Sequence, residues 1–176
     1  MEIKAKCKLD MDTTKALTHL WMFKKANPKK RMLTWLIVSV ILVLVLVLEA
    51  IVFSDITMMK PIWLLVVIWL LECFLYFIFP KMQYKSLSKM KNAENQYTFC
   101  DNILKTFTKS DDYTGQAEIE YSLFEKVYET SKYFFMYQTK NQVFVVDKST
   151  IEGGTVEEIR NKLSAFVKDK YILCKY

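Results

Sequence analysis

The sequence predicts a two-helix transmembrane hairpin joined to a small α+β soluble domain. Residues 32–53 and 61–80 form apolar runs that each contain one acidic residue and no basic residue, and each run is long enough to cross a hydrocarbon core of roughly 30 Å as a helix. From residue 92 onward, β-branched and aromatic stretches alternate with turn residues and end in an amphipathic helix. We therefore divide the 176-residue chain into segments 1–31, 32–80, 81–91 and 92–176.

The N-terminal segment is predicted to contain a strand and a helix. Apolar and charged residues alternate over residues 2–9, which is typical of a strand with one buried face. Such a strand needs a sheet, and the soluble domain could supply one. Asp12 is placed to cap a helix that runs to about Lys25. Its apolar stripe fits either the bilayer surface or the soluble domain and consists of Ala16, Leu17, Leu20, Trp21 and Phe23.

The two apolar runs are predicted to form a tight antiparallel hairpin. The connector between them, residues 54–60, is seven residues long. In lipid the backbone must satisfy its own hydrogen bonds, so runs rich in Val and Ile form helices there rather than strands. Pro61 suits the first turn of a helix, where its missing N–H costs nothing. Pro80 is expected to help end the second helix.

Charge predicts the orientation of the hairpin. The formal net charge is +6, with +6 in residues 1–31, +4 in residues 81–91, and −2 in both the hairpin and residues 92–176. Short basic flanks stay in the cytoplasm, which predicts a multi-pass plasma-membrane protein with both termini inside. Because topology explains the charge, no nucleic-acid partner is expected. The residues expected to contact anionic headgroups are Lys24, Lys25, Lys29, Lys30, Arg31, Lys81, Lys85 and Lys89.

Two carboxylates fall within the apolar runs. Glu72 lies near mid-membrane, where an ionisable side chain is costly and marks a candidate functional group. It could bind a proton or cation, form a polar contact in an oligomer, or be a protonated group bonded within the hairpin. Glu49 lies about four residues from the outer end of the first helix and can reach the interface. Two helices cannot enclose a pore, so a channel would require a homo-oligomer.

The soluble domain is predicted to be an antiparallel sandwich or barrel closed by a helix. We place its strands at residues 96–100, 103–109, 116–121, 126–130, 133–138 and 142–147. Thr155 and Glu158 have capping-box spacing, and Gly153-Gly154 lets the chain turn into the helix. This is the plan of a pleckstrin-homology-like (PH-like) domain. Its aromatic residues fit a core, and four acids are expected on a solvated face: Glu118, Glu120, Glu125 and Glu129.

The sequence contains no evident catalytic constellation. The single histidine, His19, excludes a two-histidine metal site and is interpreted as an ordinary polar position. A phosphate-binding loop needs several glycines close together, and only Gly153 and Gly154 are neighbours in this sequence. We therefore expect no enzyme activity, no metal and no cofactor. The cysteines lack C-x-x-C spacing and are expected to be reduced: Cys7, Cys73, Cys100 and Cys174.

Three stretches resemble the YcxB-like family of bacterial membrane proteins. They are residues 121–130 followed by Tyr133-Phe134, residues 144–148, and Gly154-Thr155 leading to Glu158 and Leu163. Two apolar helices stand upstream of them, as in that family. The resemblance implies a cytoplasmic domain similar to bacterial PH folds and brings no established catalytic residues. The family often has proline where this chain has Asp147.

These observations predict a non-catalytic integral membrane protein whose PH-like domain is a protein-binding, peptide-binding or regulatory module at the inner membrane face. The alternative is a hairpin that acts within the bilayer through Glu72, as an immunity protein or as an oligomeric channel or transport accessory. The expected partners are the bilayer with its anionic headgroups, and either another protein or further copies of the chain.

Overall fold

The structure, a computed structural model, describes residues 2–23, 28–53, 61–87, 93–110 and 113–174. The helices are α1 Met11–Phe23, α2 Pro28–Phe53, α3 Pro61–Cys73, α4 Phe79–Ser86 and α5 Val156–Val167. The strands are β1 Ile3–Lys8, β2 Glu94–Phe99, β3 Ile103–Lys109, β4 Thr114–Glu120, β5 Lys126–Glu129, β6 Tyr133–Tyr137, β7 Val143–Asp147 and β8 Tyr171–Leu173. They form two four-stranded sheets: sheet A in the order β1-β2-β3-β4, and sheet B in the order β7-β6-β5-β8.

The N-terminal strand alternates as predicted and joins sheet A. The apolar side chains of β1 are buried, while the lysines between them are exposed. β1 pairs with β2 in antiparallel register, from Ile3 opposite Phe99 to Lys8 opposite Glu94. Residues 9–93, which include both apolar helices, are therefore a connection between two neighbouring strands of one sheet.

The N-cap of α1 is Asp10, so the prediction of Asp12 is wrong. Asp10 Oδ1 accepts a hydrogen bond from the backbone N–H of Thr13 at 2.8 Å, which is the geometry of a capping carboxylate. Asp12 lies in the first helical turn instead. Since β1 ends at Lys8 and α1 begins at Met11, the residue that directly precedes the helix is Asp10.

The apolar stripe of α1 packs largely on the soluble domain. Leu20 is buried in the core, and Ala16 and Leu17 pack against it. Trp21 departs from these three residues, because its side chain is 67% exposed, and the side chain of Phe23 lies outside the described residues. The helix therefore contributes to the core of the domain while presenting one large aromatic ring outward.

Among the described residues, two helices are long and apolar enough to cross a membrane by length and composition. The candidate spans are Met32–Val52 and Trp63–Ser86, and almost none of either span is buried within the protein. Both predicted apolar runs are therefore helical. A hydrogen bond joins the two helices, in which Trp69 Nε1 donates to Ser39 Oγ at 3.1 Å.

Pro80 does not end the second apolar helix, contrary to the prediction. The helix passes through a π-helical turn, Phe74–Ile78, into α4 and continues to Ser86. A proline inside a helix cannot bond the carbonyl four residues earlier, here that of Tyr76. The wider π turn before Pro80 accommodates this interruption. Residues 81–86, predicted to be part of a linker, are helical.

The six strands predicted from residue 92 onward are present as β2 to β7, with ends within two residues of the prediction. The strand β8 is an addition. It pairs in parallel with β5, with Val127 opposite Tyr171, so sheet B is mixed rather than wholly antiparallel. Three residues are too few to display the alternation by which strands are recognised in a sequence.

The core contains inward-facing residues of both sheets together with Leu20 of α1 and residues of α5. From α5, Ile159, Leu163 and Val167 are buried, whereas Phe166 is 41% exposed. The largest fully buried aromatic side chains are Phe99, Tyr121, Phe124, Phe134 and Phe135.

The start of α5 has the predicted capping box. The backbone N–H of Glu158 donates to Thr155 Oγ1 at 3.2 Å, and the backbone N–H of Thr155 donates to Glu158 Oε2 at 2.8 Å. Gly154 brings this turn against β1, since a Cβ there would lie 2.6 Å from Ile3 Cγ1. The turn that leads into α5 thus packs against the N-terminal strand.

Candidate functional site

A buried carboxylate, Glu129 at the end of β5, is bonded by three side chains from later elements. Arg160 donates twice, from Nε to Oε2 at 2.8 Å and from Nη2 to Oε1 at 2.6 Å. Lys148 Nζ donates to Oε1 at 2.6 Å, and the hydroxyl of Tyr171 donates to Oε2. The Glu129 side chain is 1% exposed. One carboxylate therefore connects β5 to the turn after β7, to α5 and to β8.

The prediction of a solvated face is wrong for Glu129, although Glu118, Glu120 and Glu125 are exposed. The burial of Glu129 could have been predicted from β5 itself. Val127 is buried, and because side chains alternate along a strand, residue 129 faces inward as well. The three partners come from distant parts of the chain, so no local spacing could have identified them.

The electrostatics of this cluster favour a structural role. Burial alone would raise the pKa of Glu129, but hydrogen bonds from Arg160, Lys148 and Tyr171 outweigh it and lower the pKa to about 2. A general base works best with a pKa near the operating pH. A carboxylate that is fully bonded and ionised at neutral pH therefore suits a cross-link between elements better than proton transfer.

A second polar contact joins α1 to the second apolar helix. His19 is 7% exposed and stacks on Tyr76, with ring centroids 4.6 Å apart. Its Nε2 lies 3.2 Å from the Tyr76 carbonyl oxygen, the group that Pro80 leaves without its helical donor. Burial lowers the pKa of His19, so the neutral ring can donate from Nε2. The interpretation of His19 as an ordinary polar position is corrected: it links two elements.

The two predicted intramembrane carboxylates differ in exposure. Glu72 is half-buried in α3, and Glu49 is exposed near the end of α2. Within the described ranges neither has an ion-pair partner. Their roles remain predictions, and no described contact brings them together.

The basic residues predicted to contact headgroups are described in part. Lys30, Lys81 and Lys85 are exposed, the first at the start of α2 and the others in α4. The side chains of the remaining five lie outside the described residues: Lys24, Lys25, Lys29, Arg31 and Lys89. The exposed lysines therefore lie at the ends of the apolar helices nearest the soluble domain.

The cysteines are free thiols. Cys7 and Cys174 are buried, Cys100 is half-buried and Cys73 is exposed. Burial raises the pKa of Cys7 to about 11, which keeps this thiol protonated at neutral pH. Over the described residues there is no cluster of three or more His, Cys, Asp or Glu that could hold a metal ion.

The two outer strands of sheet A have different surroundings. The edge of β1 is covered, because Thr150 Oγ1 bonds both the N–H and the carbonyl of Lys6, and Lys4 exchanges backbone hydrogen bonds with Glu152. In the described part of the chain, β4 pairs only with β3. Backbone groups along the outer side of an edge strand can accept a further strand. This edge is the candidate binding surface of the domain.

Comparison with known protein families gives a match for one segment of the chain. Residues 106–163 match a family model described as YcxB-like protein. The match runs from within β3 into α5 and includes Glu129, Lys148 and Arg160, but it does not include the apolar helices. A search of curated proteins and a search of solved structures each found no match. The resemblance to the YcxB-like family seen in the sequence is thus confirmed over residues 106–163, the segment that matches the family model.

Proposed function

We propose that the protein is an integral membrane protein whose soluble domain is a non-catalytic binding module at the cytoplasmic face. The pairing of β1 with β2 is the observation behind this proposal, because both apolar helices lie between these adjacent strands. Both ends of the hairpin therefore return to one sheet. A domain held at two points keeps a defined position relative to the bilayer, which a single flexible linker would not provide.

Exposure of the apolar helices supports membrane insertion. The spans Met32–Val52 and Trp63–Ser86 are almost entirely uncovered by the rest of the protein. Apolar surface of this extent needs cover, and a bilayer would cover the faces that the two helices leave exposed. The net charges of +6 and +4 on the flanking segments support a cytoplasmic location for both termini.

We place the binding surface at the outer edge of β4. Gln116, Glu118 and Glu120 alternate along this strand with the inward-facing Ile119, and all three are exposed. The acidic side chains favour a partner segment that is extended and basic, bound by strand addition. The succession of β1 to β7 followed by α5 supports the PH-like plan expected for the domain, to which β8 is an addition.

Site-specific photocrosslinking tests this surface in the full-length protein. A benzoylphenylalanine replaces Gln116 on the proposed edge, or Glu125, an exposed acid outside β4, as the matched control. The proposal expects a discrete crosslinked protein from position 116 and none from position 125. Equal products at both positions, or none at position 116, would contradict it.

A hairpin that acts within the bilayer is the second candidate. It is favoured by the half-buried Glu72, which has no ion-pair partner in the described ranges. The substitution Glu72→Leu separates the two functions. The readout is whether the variant complements a strain that lacks the gene. Failure to complement, with unchanged crosslinking at position 116, would favour the hairpin. Full complementation would exclude a required role of this carboxylate.

A further inference from the structure

A cleft of about 270 Å³ lies where α1, α4 and the turn between β6 and β7 meet. Leu17 and Trp21 line it from α1, and Phe79 and Gln83 line it from α4. Much of the wall is therefore apolar or aromatic. Ligand sites commonly combine such a wall with a few polar groups that orient the bound molecule.

The turn between β6 and β7 supplies polar groups to this cleft. Lys140 and Asn141 are exposed there, and Gln83 adds a second amide from α4. Lys140 is the only charged residue that lines the cleft within the described part of the chain. An ammonium group and two primary amides offer N–H donors without a competing carboxylate. This set suits a ligand that has an anionic, oxygen-rich group.

The position of the cleft along the second apolar helix indicates which kind of ligand it meets. The apolar run of that helix reaches Phe79, and Lys81 and Gln83 soon follow. Phe79 and Gln83 lie one turn apart, so the cleft spans the boundary between the apolar and polar parts of the helix. If α2 and α3 cross the bilayer, this boundary lies at the depth of the headgroups. The exposed ring of Trp21 is typical of that depth.

We propose that this cleft binds the headgroup of an anionic phospholipid. The phosphate accepts hydrogen bonds from Lys140 and the neighbouring amides, while the glycerol and the first acyl carbons lie against Trp21 and Phe79. The proposal rests on the membrane insertion proposed above. This binding differs from the general attraction of the basic segments 1–31 and 81–91 to anionic headgroups, because Lys140 belongs to the soluble domain. A bound lipid would fasten the turn between β6 and β7 to α4.

The test uses the full-length protein in dodecyl maltoside, titrated with phosphatidylglycerol or phosphatidylcholine and followed by native mass spectrometry. Lys140→Gln removes the charge from the cleft, and Lys170→Gln removes one from an exposed lysine that does not line it. We expect Lys140→Gln to weaken phosphatidylglycerol binding about fivefold, since a basic residue near an anionic surface contributes about 1 kcal/mol. Lys170→Gln and binding of phosphatidylcholine should not change.

Equal weakening by the two substitutions, or none by Lys140→Gln, would overturn the proposal. Soluble glycerol phosphate that displaced the lipid at equal concentration would also overturn it, because the site would then recognise a free phosphate. Carbonate extraction of the membranes before purification tests insertion separately. Protein lost at that step would contradict the proposed function, whereas retained protein with no effect of Lys140→Gln would contradict the cleft alone.

Discussion

Substitution of Glu129 by Gln should destabilise the soluble domain by about 3 kcal/mol at neutral pH. The native pKa of about 2, against an ordinary value of 4.5, corresponds to this free energy at roughly 1.4 kcal/mol per pKa unit. The neutral amide keeps the shape of the side chain but leaves Arg160 and Lys148 without their shared counter-charge. Removing one partner of a buried ion pair typically costs about 3–5 kcal/mol, in agreement with this magnitude.

Urea unfolding of the full-length protein in detergent, followed by the circular dichroism of the strands, measures this free energy. Because the native pKa of Glu129 is lowered, its contribution is complete above pH 4.5 and is lost as the pH falls towards 2. The difference between wild type and Glu129→Gln should disappear over that range. The matched control is Glu118→Gln, whose exposed carboxylate lies 3.4 Å from Lys105 and should change the free energy of unfolding far less, because solvent screens an exposed ion pair. Equal effects of the two substitutions would refute the reasoning.

Three further substitutions test other contacts. Gly154→Ala places a Cβ against Ile3 and should cost about 1–3 kcal/mol in the same unfolding experiment. Thr155→Ala removes the oxygen that accepts the N–H of Glu158 and should cost about 1 kcal/mol. The native pKa of His19 is lowered from 6.5, so the unfolded chain binds the proton more readily and wild-type stability should decrease as the pH falls below that value. His19→Gln should remove this dependence, and a slope unchanged by the substitution would argue against the buried link.

Local patterns predicted much of the fold. The alternation in β1, the apolar runs, the six strands and the capping box all depend on residues close together in the chain, and each is present. The pairing of β1 with β2 was an open possibility, because alternation shows that a strand needs a sheet without showing which one.

The features that local patterns missed depend on distant contacts. Pro80 was expected to end a helix, but the preceding π turn and the packing of α1 on α4 allow the helix to continue. Local patterns predict a solvated face for Glu129 and an ordinary polar position for His19, because the partners of both residues lie far away in sequence. A polar residue becomes buried when the fold supplies donors or acceptors for it, and single-sequence periodicity does not contain that information.

The most direct test of the proposed architecture is the sidedness of the two parts of the chain in intact cells. In a variant whose four cysteines are replaced by alanine, a single cysteine is introduced by Thr57→Cys in the connector or by Glu118→Cys in β4. A membrane-impermeant maleimide should label position 57 in intact cells and position 118 only after permeabilisation. Labelling of both positions, or of position 118 alone, in intact cells would contradict a hairpin anchored at both ends to a cytoplasmic sheet.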